Sequence, residues 1–108
     1  MAYSKRNQVK EILHIDLAET KYDAELVGCI GDADAWIDDE LKIYTSVPLS
    51  TVPAIIVYVS KYRAAALFKE KEETEKAYAL YQRFHARASQ SLEKYIQNTF
   101  FVGKMRSD

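Results

Sequence analysis

The side chains best suited to chemistry in this 108-residue chain crowd into GDADAWIDDE, residues 31–40, which holds Asp32, Asp34, Asp38, Asp39 and Glu40. Asp34 and Asp38 are four residues apart and would share one helix face, a geometry open to a hard cation. The segment lacks the central glycine and the terminal glutamate of a calcium loop, so it reads as a solvated acidic face. His14 and His85 lie far apart in sequence and fit no metal-ligand spacing. The single cysteine, Cys29, has no flanking histidine to activate it and no partner for an internal disulfide. That fits a reducing compartment or a small buried thiol. No serine sits in a nucleophile elbow, and no glycine-rich stretch could cradle a phosphate. These residues predict no enzyme, no metal site and no cofactor.

Charge is distributed unevenly. The chain has a net charge of −1, yet residues 1–50 carry five Lys or Arg against ten Asp or Glu, and residues 51–108 carry ten against six. A general DNA-binding protein would be strongly basic, which this chain is not. Lys76, Arg83, Arg87 and Lys94 fall within about 40° of one another on a helical wheel, so they form a basic ridge along the last helix. Such a ridge is a solvated face or an electrostatic contact, with phosphates or with an acidic protein surface. The acidic residues Asp32, Asp34, Asp38 and Asp39 offer that surface, so copies could associate with the ridge of one facing the acidic helix of the next. Glu40 and Arg63 both fall inside apolar arcs of their helices, and an ion pair between them is expected to set the register.

Helical periodicity positions these groups. Ser4 to Leu13 predicts a short amphipathic helix capped by Ser4. In the second helix, starting near Asp23, Leu26, Ile30, Ala33, Ile37, Leu41 and Tyr44 recur at helical spacing. Gly28 and Gly31 fall opposite, marking either a bend recapped by Asp32 or a face laid against a neighbouring backbone. The stretch from Pro48 to Glu70 is apolar nearly all round, with Ser60 among its apolar positions, so it predicts a central helix buried on more than one side. Ser50, Thr51 and Pro53 would start it. A charged turn, Lys69 to Thr74, leads to a last long helix, Glu75 to Phe100. Its core face holds Ala77, Leu80, Tyr81, Phe84, Ala88, Ser91, Leu92 and Tyr95, with His85 at the edge as a structural histidine. The fold class is all-α: a small antiparallel bundle of one short and three longer helices, residues 1–98, with an extended tail over 99–108. The tail opens on Thr99, Phe100, Phe101 and Val102, which are apolar and strand-prone, and it is expected to bind a partner. No apolar run is long enough to span a membrane, and the N-terminus lacks a signal-peptide core.

Three features taken in order resemble the head–tail connector (adaptor) proteins of tailed phages and proviruses. They are the pattern Ala33-Asp34-Ala35-Trp36-Ile37-Asp38-Asp39-Glu40-Leu41, the Val52-Pro53 start of an apolar helix with Tyr62-Arg63-Ala64-Ala65-Ala66-Leu67-Phe68, and the closing Leu92-Glu93-Lys94-Tyr95-Ile96. The resemblance covers residues 5–98. It implies a helical virion protein that forms a ring between a portal protein and a tail or stopper protein. The ring would continue the channel through which DNA passes without sequence-specific binding. It also implies a virion location, with assembly in the host cytoplasm, and a portal contact made by a terminal segment such as Thr99–Val102. The alternative is a small helical nucleic-acid-binding or regulatory protein that uses the basic helix face.

Overall fold

The computed structural model describes residues 2–101, which contain four helices and no strand. Helix α1 spans Arg6–Leu13, α2 Asp23–Leu41, α3 Ala54–Glu70 and α4 Glu75–Phe100. Helix α3 is the centre, packing against α1, α2 and α4. Its apolar circumference is therefore used on three sides, and Ile56, Val59, Ala64, Ala65 and Ala66 are fully buried. The three consecutive alanines add little apolar area each, but they let neighbouring helices approach closely. Most of the burial energy falls to the large aliphatics, at about 1.5–3 kcal/mol for each one fully buried. Val9, Leu26, Ile30 and Phe84 gather around the alanine run at one end. Ile37, Leu41, Ile56, Val59 and Leu92 fill the other end, and Tyr62 packs against both groups.

Local chemistry sets the helix ends. The Gln8 side chain accepts from the Lys5 amide at 2.8 Å and closes the first turn of α1. The expected cap, Ser4, is instead buried and hydrogen-bonded to Ser60. Helix α1 ends where His14 turns left-handed, at φ 60°, and Ile15 N–H reaches back to the Lys10 carbonyl at 2.9 Å. Thr74 caps α4 through its hydroxyl, which accepts from the Ala77 amide at 3.1 Å. The hydroxyls of Ser50 and Thr51 do not cap α3; Pro53 occupies that position with its own fixed φ. Helix α2 runs unbroken through Gly28 and Gly31, so no break recapped by Asp32 occurs there. A Cβ built on either glycine meets nothing within 4 Å, so that face lies open and is not pressed against a backbone.

Helix α4, with 26 residues, is about 39 Å long. It sets the longest of the three dimensions, 50 × 30 × 19 Å. It spans Glu75–Phe100, the bounds its sequence predicts.

Candidate interaction surfaces

The basic ridge forms as the spacing requires. Ala77, Phe84, Ala88 and Leu92 turn one side of α4 into the core, which leaves Lys76, Arg83, Arg87 and Lys94 exposed on another. None of the four makes an ion pair with another described residue. Arg83 and Arg87 are joined by a residue outside the ridge, Lys61 of α3. With Gln8 and Glu11 of α1 and His14 just past its end, these three cations line a groove of about 390 Å³. The Arg87 guanidinium lies over the Tyr62 ring, 5.4 Å from its centroid, and hydrogen bonding to the Tyr58 hydroxyl favours its charged form further. Lys61 in turn sits 5.9 Å from the Tyr58 ring centroid. The tyrosines at 58 and 62, one helical turn apart and themselves in contact at 4.6 Å, are thus the platform beneath two of the cations.

The acidic face of α2 divides in two. Asp32 and Asp39 are exposed, and Asp39 pairs with Lys42 at 2.6 Å across one turn. Asp34 and Asp38 face inward, toward the N-terminal segment. The Tyr3 amide donates to one Asp34 oxygen at 2.8 Å, and the Ser60 hydroxyl donates to the other at 2.6 Å. The Tyr3 hydroxyl donates to Asp38 and accepts from the Leu49 amide at 2.8 Å. Tyr3 is only 3% exposed, and burial, followed by the Asp38 hydrogen bond, pushes its phenol up to about 12. Burial also pushes the Asp34 carboxyl up, against the opposing hydrogen bonds from Ser60 and Tyr3. The Asp34–Asp38 pair therefore clamps the chain's own N-terminal segment. Among the described residues no group of His, Cys, Asp or Glu is arranged to hold a metal ion.

Arg63 and Glu40 do not pair. Glu40 is exposed, and Arg63 lies with its guanidinium 5.0 Å from the Trp36 ring centroid and 2.8 Å from His85 Nδ1. An aromatic ring and an imidazole supply what the carboxylate was expected to supply. Arg63 carries only donors, so His85 Nδ1 accepts, and Nε2 keeps its proton facing Ser89 Oγ at 3.3 Å. Burial, followed by the nearby guanidinium, lowers the His85 pKa. The ring stacks on Tyr81, nearly coplanar at 4° and 5.8 Å between centroids, in keeping with a structural histidine. Cys29 is buried, and burial raises its thiol pKa, so it is not an activated nucleophile.

Of the apolar quartet at the C-terminus, Thr99 and Phe100 belong to α4, and Val102 lies outside the described residues. Phe100 stacks on Tyr44 at 5.1 Å between centroids, and Phe101 meets the same ring edge-on at 5.4 Å. These two phenylalanines pack onto the link between α2 and α3. Tyr44 receives them because α2 ends at Leu41, which frees the residues after it from the helical face they were expected to share.

Lys10 was not singled out in the sequence. It is 2% exposed, paired with Asp23 at 2.8 Å and hydrogen-bonded to the carbonyls of Leu17 and Glu19 at 3.2 and 2.6 Å. One buried ammonium thus ties together α1, the α1–α2 link and the start of α2. No described helix is long and apolar enough to cross a membrane.

Comparisons with protein-family models, curated proteins and solved structures returned no match to this chain.

Proposed function

We propose that the protein is a structural virion component of the head–tail connector type. It assembles into a ring between a portal-type protein and a tail or stopper protein, and the ring continues the DNA channel. The observation that carries this reading is the set of four exposed cations on α4 with no internal counter-charge, in a chain whose excess of acid lies in the other half. Unmatched charge of opposite sign on separate faces supports head-to-tail contact between copies, which closes into a ring when the rotation per copy permits. The order of helices and the sequence pattern across residues 5–98 support it as well. Inward use of Asp34 and Asp38 and the Asp39–Lys42 pair leave Asp32 and Glu40 as the exposed acids of α2 without an ion-pair partner among the described residues.

Light scattering coupled to size exclusion tests the assembly. The wild type should form a large species, alone or on addition of the portal-type protein captured from particle-producing cells. The R83E/R87E variant should stay monomeric with unchanged helical circular dichroism. A wild type that remains monomeric and captures no capsid component would leave the second reading, a small nucleic-acid-binding helical protein, which the convergence of Lys61 with Arg83 and Arg87 favours.

A further inference from the structure

We propose that the groove between α1, α3 and α4 is a phosphate-binding site for a nucleic-acid backbone, with Lys61, Arg83 and Arg87 as its contacts. The ridge on α4 alone does not define a site, because exposed lysines and arginines along a helix are commonly only a solvated face. Three further observations set this stretch apart. Cations converge here from two different helices, and α1 closes the third side with Gln8 and the residue that ends it, His14. No described carboxylate lies within ion-pairing distance of any of the three cations, and Glu11 is the only acid in the lining. The Tyr62 ring lies beneath Arg87 and the Tyr58 ring beneath Lys61, which limits the side-chain freedom to be lost when an anion arrives. Lys76 and Lys94, at the two ends of the ridge, line no part of this groove.

The occupant follows from the shape of the charge. The rim presents several cations along an open groove of about 390 Å³ rather than a closed pocket around one. That arrangement fits successive phosphates of a chain better than a single ion. The ring faces are covered by Lys61 and Arg87, so bases are not expected to stack on them, and binding should be indifferent to sequence. This inference goes beyond the connector reading, in which Arg83 and Arg87 would instead face the neighbouring copy, and binding by the isolated protein is measured apart from assembly.

The experiment is fluorescence anisotropy of a labelled 20-nucleotide DNA, single- and double-stranded, at 50 to 200 mM salt. Inorganic phosphate and poly-glutamate serve as competitors. Binding should weaken with salt at a log–log slope of about −2 to −3, matching three contacts at roughly 0.7–0.9 each. Lys61→Ala, Arg83→Ala and Arg87→Ala should each reduce that slope by about 1 and weaken binding several-fold. Lys76→Ala and Lys94→Ala should change little. Thermal unfolding of each variant separates lost binding from lost folding, and Arg87→Lys should retain most of the affinity. Equal losses at all five positions would replace the groove with a diffuse ridge and overturn the proposal. So would stronger competition by poly-glutamate than by unlabelled DNA, which would mark an acidic protein as the partner, or no DNA binding at 50 mM salt. DNA binding by a chain that never assembles would remove the connector reading and leave the groove standing. Assembly without DNA binding would do the reverse.

Discussion

The guanidinium of Arg63 donates to Nδ1 of His85 at 2.8 Å, so the imidazole is held neutral between α3 and α4. Protonation of His85 would turn that acceptor into a donor facing a fixed positive charge. In the Arg63→Met variant the His85 pKa should rise toward the ordinary value near 6.5, because one of its two depressing influences, burial and the guanidinium, has been removed. An NMR titration of the imidazole measures this directly, and an unchanged midpoint would mean that burial alone sets it. The same site predicts independence of Glu40. The Glu40→Ala and Arg63→Ala effects on unfolding should add within about 0.5 kcal/mol.

Tyr3 gives a stability prediction with a clear sign. Its phenol titrates near 10 in the unfolded chain and at about 12 in the fold, so the folded state holds the proton more tightly. This contribution is complete below pH 10 and is lost as pH rises toward 12. Urea denaturation should therefore show stability falling over that window, by about 2–3 kcal/mol in all. Tyr3→Phe should flatten this limb. At pH 7 it should cost about 1–3 kcal/mol, because the Leu49 amide loses its acceptor and Asp38 loses its donor. An alkaline limb as steep in the variant as in the wild type would assign the titration to another tyrosine.

Lys10 should be among the most sensitive polar positions. Lys10→Met keeps the length of the side chain but leaves the Leu17 and Glu19 carbonyls without their charged donor, at a cost of about 2–3 kcal/mol in thermal unfolding. Its partner Asp23 has a pKa held down by the hydrogen bond from Lys10, then by the charges of Lys10 and Arg6. That contribution is present above the ordinary aspartate range and fades as pH falls below it. Asp23→Asn should accordingly show a shallower acid limb than the wild type.

His14 holds a left-handed backbone, at φ 60° and ψ 38°, at the end of α1. His14→Gly relieves that conformation and should raise stability by up to about 1 kcal/mol. Chemical denaturation is the check, and a loss of stability would show that the imidazole contributes more packing than the backbone strain costs.

The elements were legible in the sequence wherever apolar spacing alone determines them. Leu26, Ile30, Ala33, Ile37 and Leu41 recur at helical intervals, and all are buried. The apolar circumference of α3 pointed to a central helix, which it is. What the spacing could not convey was the fate of polar side chains that face inward. Ser60 stood visibly among the apolar positions of α3, yet nothing local indicates that its partners are Ser4 and Asp34. Asp34 and Asp38 share a face as their spacing requires, but a helical wheel does not reveal that residues 3 and 4 will come to lie against them. Glu40 and Arg63 show the opposite failure. Their wheel positions were compatible with pairing, but the Arg63 guanidinium lies against Trp36 and donates to His85. For the surface groove, the ridge on α4 was readable and the contribution of Lys61 was not, because it depends on how α3 and α4 pack.

The clamp on the N-terminal segment also bears on the order in which the molecule assembles. Tyr3 bonds to partners 31, 35 and 46 residues away, and Ser4 to one 56 residues away. Synthesis delivers Tyr3 and Ser4 before α2 and α3, at roughly 5–20 residues per second, but the surface that receives them exists only once α2 and α3 have come together. By contrast, α3 and α4 are joined by four residues and can dock with little loop to close. A segment made before α2 and α3 is thus fastened only after they have docked. Pulse-labelled hydrogen exchange should find the Tyr3 amide protected after the amides of α3 and α4, and earlier protection would contradict this order.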